Sequence, residues 1–109
     1  MIECNEQISQ RETVLVKIDP DLEDLIPGYL RNREKDIKTM TDALETGNFD
    51  TIRILGHSMS GSGGGYGFER ITDIGRYLEQ SAKDLSPEEV RKGIKDLVEY
   101  LTRVEVIYG

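Results

Sequence analysis

Apolar residues fall along much of this chain at helical spacing. Leu22, Leu25, Ile26, Tyr29, Leu30, Ile37, Met40 and Leu44 recur at intervals of three, four and seven and trace one helical stripe. Asp19-Pro20-Asp21 is a helix-start signal before it, and Gly47-Asn48 ends it. Pro27-Gly28 interrupts the stripe. Either the helix kinks there, or a short turn ends at Ile26 and the main helix starts at Pro27. A second helix is predicted from Asn48 as cap, with Phe49, Ile52, Leu55 and Met59 inward. A third runs from about Phe68 to Lys83, with Ile71, Ile74, Leu78 and Ala82 inward. Ser86-Pro87-Glu88-Glu89 supplies a cap, a proline at the first helical position and an acidic first turn. The fourth helix then carries Val90, Ile94, Leu97, Leu101, Val104 and Tyr108 on one face. The pattern predicts an all-α fold, an antiparallel up-down four-helix bundle over residues 19–109.

Residues 1–18 precede this pattern as an N-terminal arm. Residues 1–12 are polar and unpatterned, a loose arm. Thr13-Val14-Leu15-Val16-Lys17-Ile18 is β-branched and roughly alternating, so it reads as a short strand or extended lead-in. With no second strand to pair, it is expected to lie along the domain.

Composition narrows the function. Fourteen Lys and Arg face 21 Asp and Glu, a net charge of −7. That balance argues against nucleic acid or an anionic membrane surface as partner, and it opposes self-association, so a monomer is expected. There is no apolar run long enough for a membrane span and no signal-peptide pattern at Met1-Ile2-Glu3, which leads to a cytoplasmic expectation. One cysteine, Cys4, and one histidine, His57, build neither an internal disulfide nor a zinc site. No metal or cofactor is expected on this chain.

Chemistry therefore converges on His57. On a wheel of the second helix His57 falls about 150° from the centre of the apolar face, so it points to solvent. Arg53, Ser60, Gly61 and Gly64 share its side, and Ile54 is an outward apolar residue beside it. Glycine costs about 1 kcal/mol relative to alanine within a helix. The Gly61–Gly67 stretch reads either as a loop or as a clearing that lets another protein's backbone approach the imidazole. It is not a nucleotide loop: Ser62-Gly63 stands where a P-loop needs Lys-Ser/Thr, and Gly61-Ser62-Gly63 meets Tyr66 where a dinucleotide fingerprint needs glycine. Acid–base work needs a cleft, a partner carboxylate and a second group; nothing nearby supplies a nucleophile with an obvious base, and no second catalytic group is expected near His57. A neutral imidazole is still a competent nucleophile toward phosphorus, provided the donor brings the metal and the positioning groups.

Gly56-His57-Ser58-Met59-Ser60-Gly61-Ser62-Gly63, with Tyr66-Gly67-Phe68, resembles the histidine-containing phosphotransfer (HPt) domains of bacterial two-component phosphorelays. That family's pattern is Ala or Gly before the histidine, then an apolar residue, Lys-Gly, small residues and a glycine. Leu25-Ile26-Pro27, Ala43-Leu44, Gly47-Asn48-Phe49, Ile71, Ile74 and Leu78-Glu79 extend the likeness over roughly residues 20–83. The resemblance implies that His57 is the phosphoacceptor, taking phosphate from a response-regulator receiver aspartate or a histidine kinase and passing it on. Mg is expected on the partner receiver. Ser60 stands where the family usually has lysine, and Arg53, one turn before His57, is the nearest substitute cation on that helix. Ser60, Gly61 and Arg53 are thus expected near the phosphoryl group, with Ile54 and Gly64 on the docking surface. The alternative that Ser60 favours is a non-transferring HPt-like module that binds a receiver domain.

Overall fold

A computed structural model describes residues 13–109. The loose arm expected over residues 1–12, with Cys4, lies outside the described residues. Strand β1 (Val14–Ile18) leads through a single 3-10 turn (Pro20–Leu22) to helix α1 (Ile26–Glu45). Then come α2 (Phe49–Ser62), a short 3-10 turn (Gly64–Tyr66), α3 (Glu69–Lys83), α4 (Pro87–Arg103) and strand β2 (Val104–Tyr108). Among the described residues no helix is long and apolar enough to cross a membrane.

The four helices form a compact bundle. Helix α2 packs between α1 and α3, and α4 closes the ring by packing on α3 and α1. The α2/α3 face therefore lies opposite the α1/α4 face. Met40, Ile52, Met59, Phe68, Ile71, Leu78, Val90 and Leu97 are fully buried at the centre. Local chemistry marks several of the helix ends. Of the two readings at Pro27, the separate turn is the one realised: Asp19 accepts from the Asp21 N–H, and α1 starts at Ile26 with Pro27 in its first turn. A proline there lacks only an N–H that the helix leaves unbonded anyway. Gly47, at φ 72°, turns the chain after α1. The Asn48 side chain then caps α2 by accepting from the Thr51 N–H at 3.2 Å, and the Ser86 hydroxyl caps α4 from Glu89.

Two expectations are corrected. The strand at 14–18 has a partner, and α4 does not reach Tyr108. It stops at Arg103, and Val104–Tyr108 pairs with β1 in parallel, Val14 against Val104 through Ile18 against Tyr108. Val104, Val106 and Tyr108 read as strand because Val-Glu-Val-Ile-Tyr is β-branched and aromatic. Val104 and Val106 are half-buried, while Glu105 and Ile107 are exposed. That two-residue alternation marks a half-buried strand. Ile18, at the end of β1, is 1% exposed and belongs to the same core as the helices. The lead-in is thus part of the packed domain.

An aromatic clamp fixes the glycine-rich turn after α2. Tyr29 of α1 stacks on Tyr66 at 4.3 Å between ring centroids and on Phe68 at 5.8 Å. Its hydroxyl hydrogen-bonds the Ser62 hydroxyl at 2.9 Å. The Arg33 guanidinium lies 4.5 Å above the Tyr29 ring and donates to Asp36 at 2.8 Å. Burial raises the Asp36 carboxyl above its ordinary range, while Arg33 pulls it down. The clamp ties the C-terminal end of α2, and so the helix that carries His57, to α1.

Candidate functional site

Helices α2 and α3 approach unusually closely, and two glycines make that approach. A Cβ at position 56 would lie 2.7 Å from the Glu79 backbone N and 2.8 Å from the Gly75 carbonyl oxygen. A Cβ at position 75 would lie 2.6 Å from the Ser60 backbone N and 2.7 Å from the Gly56 carbonyl oxygen. Only hydrogen side chains fit between these backbones. Residue 57 follows one of these glycines, and residue 79 lies one turn beyond the other. The crossing therefore sets the side chains of His57 and Glu79 next to each other.

The His57 side chain is 74% exposed. Its Nδ1 lies 3.2 Å from Glu79 Oε2, and Glu79 is itself only 18% exposed. The same carboxylate oxygen pairs with Lys83 Nζ at 3.5 Å, one turn further along α3. A carboxylate in an ion pair only accepts hydrogen bonds, so the proton sits on His57 Nδ1. Nε2 then carries the lone pair of the neutral ring, on a side chain that stands largely in solvent. The site is an oriented imidazole with a carboxylate behind it and a lysine behind the carboxylate. Glu79, with Lys83 behind it, corrects the reading that no second group is placed near His57. They come from a different helix, so a wheel of α2 alone does not show them. A signal was present: on α3, Gly75, Glu79 and Lys83 recur every four residues along the flank of the buried stripe.

The other predicted residues distribute as follows. The Ser60 hydroxyl donates to the His57 carbonyl oxygen at 2.9 Å, so it is engaged within its own helix. A Cβ at Gly61 meets nothing within 4 Å, which leaves open space one turn after His57. Gly63, by contrast, is filled from inside: a Cβ there would lie 2.6 Å from the Thr72 backbone N. The clearing is thus Gly61 with the exposed Gly64 and Gly65, and Gly63 is not part of it. The Gly64 N–H donates to Thr72 Oγ1 at 2.8 Å, and Gly64 itself is exposed. Ile54 is 52% exposed, as an outward residue. Arg53 donates twice to Asp50, from Nη2 at 2.7 Å and from Nε at 3.2 Å. Its charge is therefore largely answered by its own helix, and Lys83 is the cation tied to His57 through Glu79.

Arg53 and Lys83 nonetheless share one surface. With Phe49, Asp50, Ala82 and Leu85 they line a shallow hollow of about 260 Å³ between α2 and α3. Leu85 holds φ 55° in the turn after α3 and is 66% exposed, an apolar side chain presented to solvent on this side. Among the described residues no group of His, Cys, Asp and Glu is placed to hold a metal.

Comparison with curated proteins and with solved structures returned no match. A family model does match, that of the Hpt domain, over residues 21–105. This span takes in all four helices and the histidine with its partners. The chain belongs to the Hpt domain family, whose general function is histidine phosphotransfer.

Proposed function

We propose that His57 is the phosphoacceptor of this domain, with Nε2 as the attacking atom. The observation that carries this reading is the exposed ring whose other nitrogen is held by Glu79 at 3.2 Å. The donor is the aspartyl phosphate of a receiver domain or the phosphoryl site of a histidine kinase. From a receiver, the Nε2 lone pair forms the P–N bond as the P–O bond to the aspartate breaks, and the aspartate leaves as a free carboxylate. The imidazole becomes positively charged in this step, and its Nδ1 proton faces the Glu79 carboxylate, which favours that charge. Passing the phosphoryl group on reverses the sequence. The groups that hold and activate the aspartyl phosphate, Mg among them, belong to the partner. The chain is then a phosphocarrier with no reaction of its own on a small molecule. Gly61 leaves room for the incoming partner, and Ile54 and Leu85 offer it exposed apolar side chains.

The experiment is phosphotransfer from a panel of labelled receivers and kinases. An acid-labile label on this chain supports the proposal. Absence of label from every donor, with the receivers still bound, would establish the non-transferring module instead.

Ser60 separates those readings further. Its hydroxyl is occupied by the helix, and it brings no positive charge to the phosphoryl group. A lysine there would add one exposed ion pair, worth roughly 0.2–1 kcal/mol, or at most about fivefold in an equilibrium. Ser60→Lys is expected to raise steady-state phosphohistidine by no more than that. A jump from no signal to a strong one would show that the natural chain binds without transferring.

Glu79 is the positioning residue for His57. Hydrogen bonds to charged groups contribute about 1.5–3 kcal/mol, and solvent screening at this exposed ring pulls the value toward the lower end. Glu79→Ala is expected to slow phosphotransfer about tenfold, with Glu79→Gln falling between it and the parent, since an amide keeps the contact and loses the charge. Single-turnover transfer from one receiver measures this. Equal rates in all three proteins would remove Glu79 from the mechanism.

A further inference from the structure

The α1/α4 side of the bundle carries a second recess, across the bundle from His57. Thr41, Leu44 and Glu45 of α1 and Arg91, Ile94 and Lys95 of α4 line a groove of about 450 Å³. Its floor is apolar: Leu44 and Ile94 are partly buried and pack onto the core. Its α4 wall is basic. Arg91 and Lys95 are exposed and stand one turn apart on the same helix, an arrangement in which like charges disfavour each other. On the same two helices Lys92 pairs with Asp96 at 3.0 Å and Lys38 with Asp42 at 3.5 Å. Arg91 and Lys95 make no ion pair among the described residues. In a chain with 21 carboxylates and a net charge of −7, this groove sets two cations and a single carboxylate, Glu45, over an apolar floor.

We propose that this groove docks an acidic amphipathic helix of a different protein, with an apolar side chain on Leu44 and Ile94 and carboxylates a turn apart against Arg91 and Lys95. The two cations of its α4 wall are complementary to such a segment and outnumber the one carboxylate of the lining, Glu45. A second copy of this chain fits less well, because two molecules of charge −7 repel. Since α1 and α4 lie across the bundle from α2 and α3, the docked helix leaves His57 open. The site thus tethers the domain to one protein while the imidazole serves another, and it stands independently of the phosphoacceptor assignment.

The test uses the isotope-labelled domain and a synthetic alanine-based helix, about 16 residues long so that it is helical in water. It carries a leucine flanked by glutamates one turn apart. Binding is expected to shift the backbone amide resonances of Leu44 and Ile94 and leave the His57 ring signals in place. The double variant Arg91→Glu, Lys95→Glu changes only exposed helix positions and is expected to weaken binding at least about tenfold, as two exposed pairs are lost and reversed. His57→Gln is expected to bind the peptide as the parent does, which separates this surface from the phosphotransfer site. Equal binding of the glutamine version of the peptide would overturn the proposal, as would shifts centred on α2 and α3. Two outcomes would assign the groove to other occupants: concentration-dependent shifts at Leu44 and Ile94 without peptide, marking a second copy, and shifts with octanoate but not the peptide, marking a small amphiphile.

Discussion

His57→Gln is expected to fold as the parent does and to take up no phosphate from any donor. His57 is the only histidine in the chain, so an acid-labile label has no other imidazole to occupy. Its side chain is 74% exposed and packs into no core. Substitutions at such positions move stability by less than about 0.5 kcal/mol. The glutamine amide also donates hydrogen bonds, so Glu79 keeps a partner and is not left facing an empty position. Thermal unfolding of the two proteins should therefore coincide while labelling falls to background. Acid-labile label persisting in the variant would place the acceptor on another side chain. Loss of label together with loss of the folded baseline would show that His57 holds the α2–α3 crossing together, and the exposed-ring reading would fail with it.

The bundle was legible because long periodic stripes leave few alternatives. Leu22 to Leu44 and Ile71 to Ala82 fit a period of 3.6 over several turns, and no two-residue alternation competes with them. Val104–Tyr108 was not legible in the same way. Leu101, Val104 and Tyr108 satisfy helical spacing, and Val104, Val106 and Tyr108 satisfy strand spacing, so five residues support both readings. The decision comes from a distant segment, since Val14–Ile18 offers a backbone edge in register. A pairing between the two ends of a bundle leaves no local mark. The site divides along the same line. The outward aim of His57 follows from one helix and was readable. Its link to Glu79 and Lys83 depends on how closely two helices approach, which Gly56 and Gly75 decide together. The capture of Arg53 by Asp50, three residues apart on one helix, was readable from spacing alone. The glycine run shows the limit of composition most clearly. Gly61 and Gly63 look alike in sequence, yet one opens to solvent and the other is filled by the backbone at Thr72.

Gly75→Ala is expected to destabilise the domain, although alanine is the better helix former. In an open helix the exchange would gain up to about 1 kcal/mol. At position 75 the added carbon would lie 2.6 Å from the Ser60 backbone N, 2.7 Å from the Gly56 carbonyl oxygen and 2.8 Å from the Met59 Cβ. None of these is the end of a flexible side chain, so the helices themselves must part. Overpacking of this kind costs typically 1–3 kcal/mol, which exceeds the propensity gain and lowers the melting temperature by several degrees, at about 4–8 °C per kcal/mol for a domain of this size. Gly75→Val adds two more methyl groups and is expected to fall further. Gly61→Ala is the matched control, since nothing lies within 4 Å of its added carbon. It should be neutral or slightly stabilising. Separation of α2 from α3 also moves Glu79 away from His57 Nδ1, so the folded fraction of Gly75→Ala should transfer phosphate more slowly than the parent, approaching Glu79→Ala. Denaturation curves and single-turnover transfer on the same samples read both effects. If Gly75→Ala and Gly61→Ala raise the melting temperature alike, the two backbones do not meet at Gly56 and Gly75, and the placement of Glu79 behind the imidazole loses its structural cause.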